Sequence, residues 1–202
     1  MDNAGQVLRT QPDLPIVTAR LFLRPFVPAD LESFYQIRSR ADVARYLYQL
    51  PMSRAEAAAA FERRVGRATF VAEGDALGLA IERRDTGEMI GDIVLFWASA
   101  QHRQGEIGFV LHPDHHGQGF AREAAEALLR VGFVLFGFHR IIGRCDARNA
   151  ASAGLLARLG MRQEAHFRQN EFVKGEWCDE LVFAILAEEW QSEVESRKSK
   201  EV

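Results

Sequence analysis

An α/β fold, of the α+β kind with a mixed sheet and helices on its faces, is predicted by three features of this 202-residue chain. Short apolar segments joined by tight turns, at Asp85-Thr86-Gly87 and Lys174-Gly175, mark antiparallel hairpins. Helical segments interrupt the strands near the middle of the chain, where a crossover can set two strands parallel. A glycine-flanked turn, finally, opens directly into a long amphipathic helix on which Ala121, Ala124, Ala125, Leu128, Val131, Gly132 and Leu135 recur at helical spacing.

Residues 1–13 are polar and are expected to form a flexible arm ahead of a single domain over 14–190. Ile16 to Arg24 alternates as a strand. Pro28-Ala29-Asp30 opens a helix with Leu31, Phe34 and Ile37 on its inner face. Arg40 to Met52 is expected to be a loop, carrying Tyr46 and Tyr48. Ser53-Arg54-Ala55-Glu56 is a capping box, predicting a second helix to about Arg67. Strands are predicted at Thr69 to Val71, Ala76 to Arg84, Met89 to Ala98 and Glu106 to Leu111. After the amphipathic helix come a strand at Arg140 to Asp146 and a helix at Ala150 to Leu159, stopped by Gly160. Arg162 to Asn170 and Trp177 to Ala187 close a hairpin. The tail over 191–202 is charged and either frays or extends a helix. No repeat and no Ser/Gly/Pro-rich linker divides the chain.

Composition narrows the function classes. A net charge of −3 offers no basic field for nucleic acid. Two cysteines, Cys145 and Cys178, make no disulfide framework and suit a reducing compartment. No signal-peptide pattern opens the sequence, and no run reaches the 18 or so apolar residues of a membrane span. The expectation is a cytoplasmic protein bound to neither membrane nor nucleic acid. Oligomeric state stays open, a homodimer included.

The segment Phe109-Val110-Leu111-His112-Pro113-Asp114-His115-His116-Gly117-Gln118-Gly119-Phe120-Ala121-Arg122 carries the chemistry. Glycines beside a helix start let the backbone approach a ligand, and first-turn amides have no intrahelical partner. At the positive end of the helix dipole those donors make a phosphate cradle. Walker A and dinucleotide-fold glycine patterns do not fit it. The histidines invite a metal reading, but adjacent turn histidines rarely converge on one ion, so no metal is expected.

His116-Gly117-Gln118-Gly119-Phe120-Ala121 resembles motif A of the GCN5-related N-acetyltransferases (GNAT), Gln/Arg-x-x-Gly-x-Gly/Ala, with His116 departing from the first position. Thr18-Ala19-Arg20-Leu21-Phe22-Leu23-Arg24-Pro25-Phe26 resembles the opening strand of the RimJ/RimL-type branch. Arg148-Asn149-Ala150-Ala151-Ser152, Leu159-Gly160-Met161, Gly175 to Glu180 and Glu188-Glu189-Trp190 resemble later segments of that branch. The resemblance runs from about Ile16 to Trp190. It implies a GNAT-like fold, with a mostly antiparallel twisted sheet, about four flanking helices, and fourth and fifth strands splayed apart. It also implies acetyl-CoA as co-substrate and attack of a neutral amine on the thioester in a ternary complex. The cofactor would be held by Phe109, Val110, Leu111, His116 to Arg122, Asn149 and Ser152.

Such a reaction needs a carbonyl-polarising donor, a proton sink and a proton source for the thiolate. Amides near Phe109 and Val110 would supply the first, as the resemblance implies. Glu106 is the candidate base. It shares a strand face with Gly108 and Val110, yet Phe109 lies roughly 10 Å further on at ~3.3 Å per residue, so water would relay the proton. The Tyr that many relatives use as acid is missing, since Tyr35, Tyr46 and Tyr48 are all the chain has. Ser152 would take that role, though Asn149 or Ser152 could equally be a helix cap. Tyr46, Tyr48, Trp97 and His102, together with Arg103, are candidates for the acceptor side, the default alternative being that they are surface or core residues. The acceptor is expected to be a peptide or protein N-terminal α-amine. A small amine such as an antibiotic or polyamine, or a non-catalytic acyl-CoA-binding module, is the alternative.

Overall fold

The computed structural model describes residues 11–65 and 70–198. Its centre is an eight-stranded sheet in the order β1-β2-β3-β4-β5-β6-β8-β7. The strands are β1 (Ile16–Val17), β2 (Leu21–Arg24), β3 (Ala76–Arg83), β4 (Met89–Ser99), β5 (Gln104–Leu111), β6 (Arg140–Asp146), β7 (Arg162–Val173) and β8 (Glu176–Leu186). All neighbours pair antiparallel except β5 and β6, which are parallel and joined only over Gln104–Glu106 and Arg140–Ile142. Beyond those three residues the two strands part, so the splayed pair expected as the fourth and fifth strands is the fifth and sixth here, because Ile16–Val17 forms an extra leading strand.

Helices cover both faces. On one, α1 (Leu31–Arg38) and α3 (Arg54–Glu62) pack Phe34, Ala57, Ala60 and Phe61 against Phe26, Ala80 and Met89. On the other, α4 (Phe120–Arg130) and α5 (Ala150–Arg158) bury Phe120, Ala124, Leu128, Leu155 and Leu156 against Ile93, Leu95, Ile107 and Ile141. Strand alternation divides the residues between the faces. Ile107 and Leu111 join the α4 side, leaving Glu106, Gly108 and Val110 facing the α1 side. A buried ion pair, Arg38 Nη2 to Asp92 at 2.5 Å, ties α1 to the sheet. Removing either partner would strand the other charge in the interior.

Several boundaries depart from the sequence reading. Ile16 to Arg24 is two strands, because the Leu21 amide bonds the Thr18 hydroxyl at 3.0 Å and turns the chain at Thr18–Arg20. The Arg40 to Met52 segment contains a short helix, α2 (Ala41–Ala44). The capping box on α3 forms as expected, but the helix ends at Glu62; part of the predicted extension, and Thr69 of the predicted strand, lie outside the described residues. Phe70 and Val71 are not strand; Phe70 instead packs on Trp97 and Phe136. The amphipathic helix continues past Arg130 as a π-helical turn, Val131–Leu135, and the charged tail forms helix α6 (Ala187–Lys198). No described helix is long and apolar enough to cross a membrane.

Candidate active site

The turn between β5 and α4 is built by backbone. Gly117 and Gly119 have φ of +72° and +82°, a region where side-chain-bearing residues are strained, so both positions call for glycine. Gly119 begins α4 with no side-chain cap, and the first helical bond runs from the Glu123 amide to the Gly119 carbonyl at 3.0 Å. The amides ahead of it, through Phe120, Ala121 and Arg122, have no intrahelical acceptor. The side chains here brace the turn. The His116 ring meets the Leu111 carbonyl at 3.1 Å, and the Gln118 amide group donates to Asp114 O at 2.8 Å. His115 is buried against Phe120, and Arg122 pairs with Glu126.

Phe109, Val110 and Leu111 stay paired with β4 on one side only. On the other, the parting of β6 leaves the backbone groups of this stretch free of a ladder, forming a cleft between the strands. α5 starts across that cleft. Asn149 is its N-cap, with Oδ1 accepting from the Ser152 amide at 3.1 Å. The cap role read as an alternative for Asn149 is therefore real, and its side-chain NH₂ is given no hydrogen bond by the described residues. The Ser152 hydroxyl is half-buried and makes no hydrogen bond to the described residues.

The α1 face of the same cleft is built by side chains from five separate elements. Arg144 on β6 grips both Glu106 oxygens, at 3.2 and 3.0 Å, and lies 3.8 Å from Glu180 on β8. Glu180 is buried. It accepts from the Tyr48 hydroxyl at 2.9 Å and from Asn170 at 3.1 Å. Partial burial and the Glu180 carboxylate push the Tyr48 hydroxyl above its ordinary range, which keeps it a donor. The Lys174 ammonium, from the β7–β8 turn, donates to the Ala44 and Arg45 carbonyls at 2.5 and 3.2 Å and holds the Tyr46–Tyr48 loop over the hairpin. A recess results, lined by Tyr46, Tyr48, Asp146, Arg148, Glu171 and Glu180 among others. Asp146 and Glu176 share Arg148, and Asp179 meets His166. Glu171, half-buried, is given no hydrogen bond or ion pair by the described residues.

Of the residues chosen for the acceptor side, Tyr46 and Tyr48 line this recess. Trp97 and His102 do not. Trp97 is 2% exposed and packed between Phe70 and Phe138 in the α4-side core. His102 sits in the exposed β4–β5 turn, at the opposite end of β5 from Leu111. Arg144, Glu171 and Glu180 join this cluster with no sequence motif to mark them for it. A β-bulge near Gln169, whose φ is +49°, shifts the register between Phe167 and Glu171. No sequence signal marks it.

The family model described as acetyltransferase (GNAT) domain matches residues 20–162. The chain is 33% identical over 175 residues to the N-acetyltransferase YnaD of Bacillus subtilis, covering 87% of this chain and 98% of that one. It is 29% identical over 84 residues to the [ribosomal protein uS5]-alanine N-acetyltransferase of Escherichia coli, covering 42% and 43%. Among solved structures, a GNAT-family acetyltransferase from Bacillus anthracis superposes with a TM-score of 0.77 at 29% identity, over 86% of this chain and 98% of that one. Spermidine N-acetyltransferase from Vibrio cholerae, in complex with CoA and spermine, has a TM-score of 0.72 at 21% identity, over 86% and 99%.

Proposed function

The chain belongs to the acetyltransferase (GNAT) family and is an N-acetyltransferase acting on amines, and on that premise we propose that it acetylates the α-amine of a peptide or protein, with acetyl-CoA as donor. The observation that carries the acceptor class is the charge state of the recess. Among the described residues, its carboxylates Asp146, Glu176, Asp179 and Glu180 already have cationic or hydrogen-bonding partners, and Glu171 is given none. One unmatched carboxylate suits one ammonium. A polyamine would need several.

In this reading the amides at the start of α4 hold the pyrophosphate, and the free edge of Phe109–Leu111 takes the pantetheine arm and polarises the acetyl carbonyl. The Asn149 side-chain NH₂ binds the same arm. Bound acetyl-CoA supplies the activated acyl group. Glu171 meets the acceptor ammonium directly. Glu106 drains protons only through water, because Arg144 occupies both its oxygens. An α-amine, with a pKa of ~7.7–8.0 against ~10.4 for a lysine side chain, asks little of either carboxylate. The Ser152 hydroxyl, with no hydrogen-bond partner among the described residues, is available to protonate the departing thiolate.

The polyamine reading has two points in its favour: the spermine-bound fold relative, and the spermidine N(1)-acetyltransferase of Escherichia coli, 23% identical over 175 residues and matched over 85% of this chain. Mass spectrometry after incubation with acetyl-CoA and short peptides of varied first residue, beside spermidine and aminoglycosides, separates the two. Peptide N-terminal acetylation is expected. Efficient modification of spermidine with no peptide modified would replace the acceptor and leave the donor site standing.

A further inference from the structure

The β1–β2 turn lies about a hundred residues from α4 in sequence, yet it is fastened to the first turn of that helix. The Thr18 hydroxyl and the Arg20 amide both donate to Glu123 Oε1 at 2.7 Å, and Arg20 Nε donates to Oε2 at 2.7 Å. Arg20 Nη1 reaches on to the Gln118 carbonyl, between the two loop glycines, at 3.0 Å. The guanidinium also lies 4.5 Å from the centroid of Phe120. Nη2 makes no hydrogen bond to the described residues and stands 3.3 Å from where a Cβ on Gly119 would be.

Two features of this clasp bear on anion binding. Glu123 is a carboxylate in the first turn of the helix whose free amides form the cradle, and unless neutralised it would repel a phosphate there. Burial alone would raise its pKa, but the Thr18, Arg20 amide and Arg20 guanidinium bonds outweigh that and hold it below the ordinary carboxylate range. The Gln118 carbonyl is the second. Nη1 fixes the direction of the Gln118–Gly119 peptide, and with it which way the Gly119 amide points.

We infer that Arg20 is a positioning residue for the cofactor loop: it cancels the Glu123 charge and sets the Gln118–Gly119 peptide so that the cradle accepts pyrophosphate. This rests on the reading of the α4 start as the pyrophosphate site. His116 stands where the family motif has Gln or Arg and is spent on the Leu111 carbonyl, so Arg20 is the guanidinium nearest the loop glycines by the contacts described.

The test compares acetyl-CoA with S-acetylpantetheine, which carries the thioester but no phosphate, on one peptide acceptor. Arg20→Ala should raise KM for acetyl-CoA, and Kd for CoA by calorimetry, about 10- to 100-fold, with kcat at saturation within a few-fold. Turnover of S-acetylpantetheine should not change. Arg20→Ala/Glu123→Gln should recover much of the lost affinity, because no uncompensated carboxylate remains. Arg20→Lys, which keeps the charge and loses the fork, gives a smaller CoA-specific loss and stands in if the alanine variant does not fold. Unchanged CoA affinity in both Arg20 variants, or an equal loss with S-acetylpantetheine, overturns the inference while wild-type binding upholds the loop reading. Wild-type protein that binds no CoA overturns both.

Discussion

The two sides of the β5–β6 cleft are made by opposite means. The α4 side is a contiguous stretch of backbone: glycines at +72° and +82°, an uncapped helix start, and side chains that only brace the turn. The α1 side is an assembly of charged side chains from a loop, three strands and a hairpin, each held by another: Tyr48 by Glu180, Glu106 by Arg144, Lys174 by two carbonyls. Backbone amides bind a phosphate without relying on the loop's own side chains, provided that nearby charge is neutralised as at Glu123, so the first construction suits a donor common to a family. Side chains can be exchanged one at a time, so the second suits an acceptor that differs between members. Substitutions on the two sides should therefore fail differently, the first by losing the donor and the second by losing the amine.

The largest effect is expected from Gly119→Asp. Aspartate tolerates the left-handed region better than most residues, so the fold should survive at a cost of roughly 1–2 kcal/mol. Its carboxylate would stand among the amides meant for pyrophosphate, and calorimetry should show CoA affinity down by more than about 100-fold, with KM for the amine little changed. Unchanged CoA affinity in a folded protein would break the division between the two sides.

Ser152→Ala and Asn149→Ala sharpen it next, because neighbouring residues on one helix start are assigned different work. If the Ser152 hydroxyl protonates the thiolate, its loss should lower kcat by ~10²–10⁴-fold. The melting temperature should stay put, since no described residue hydrogen-bonds that hydroxyl. Asn149→Ala removes the cap and should cost about 1 kcal/mol of stability. The opposite pattern, a stable Asn149 variant and a slow-melting loss at Ser152 with normal turnover, would make water the acid.

How much of each side was legible follows from the same contrast. The Gly117/Gly119 turn, the α4 stripe and the Asn149 cap are local patterns of a few residues, and all three stand where the sequence put them. The α1-side cluster joins positions 48, 106, 144, 171 and 180, and it takes the pairing of β6 with β5 and β8, the Gln169 bulge and the Lys174 hold on the Tyr48 loop to bring them together. Trp97 falls in the core, its default alternative, rather than on the acceptor side, and a different reason hid which it was. On β4, Ile93, Leu95 and Trp97 face the α4 core, but Val94 and Phe96 between them are apolar too, which erases the period-two signal that would have shown Trp97 pointing inward. At Thr18, a hydroxyl-bonded turn cut a run whose apolar content read as one strand.

On the acceptor side, Glu171→Gln should raise KM for the peptide amine about 10-fold and leave Kd for CoA alone. Glu106→Gln should do less, as its carboxylate is already committed to Arg144. An effect of Glu106→Gln larger than that of Glu171→Gln would move the base to β5 and require the Arg144 pair to open during turnover.

The smallest effect expected is one of pH, and it lies on the donor side. Glu123 has a folded pKa below its unfolded value, which is near ~4.3 for a free glutamate. A depressed carboxylate contributes stability that is fully present above the unfolded value and is lost as pH falls through the folded one. Thermal melts of wild type and Glu123→Gln should therefore differ by a constant amount from neutral pH down to about pH 5, on the order of 1–4 °C for a chain of this size. That difference should then shrink as the pH is lowered further and the wild-type clasp protonates. Arg20→Ala should show the same convergence, since the guanidinium bond is lost with the same proton. A Glu123→Gln difference that held constant into acid would mean that the carboxylate holds the turn by shape rather than by charge. The clasp would then brace the loop without neutralising anything, and the contrast between an uncharged backbone cradle and a charged acceptor face would be the sharper for it.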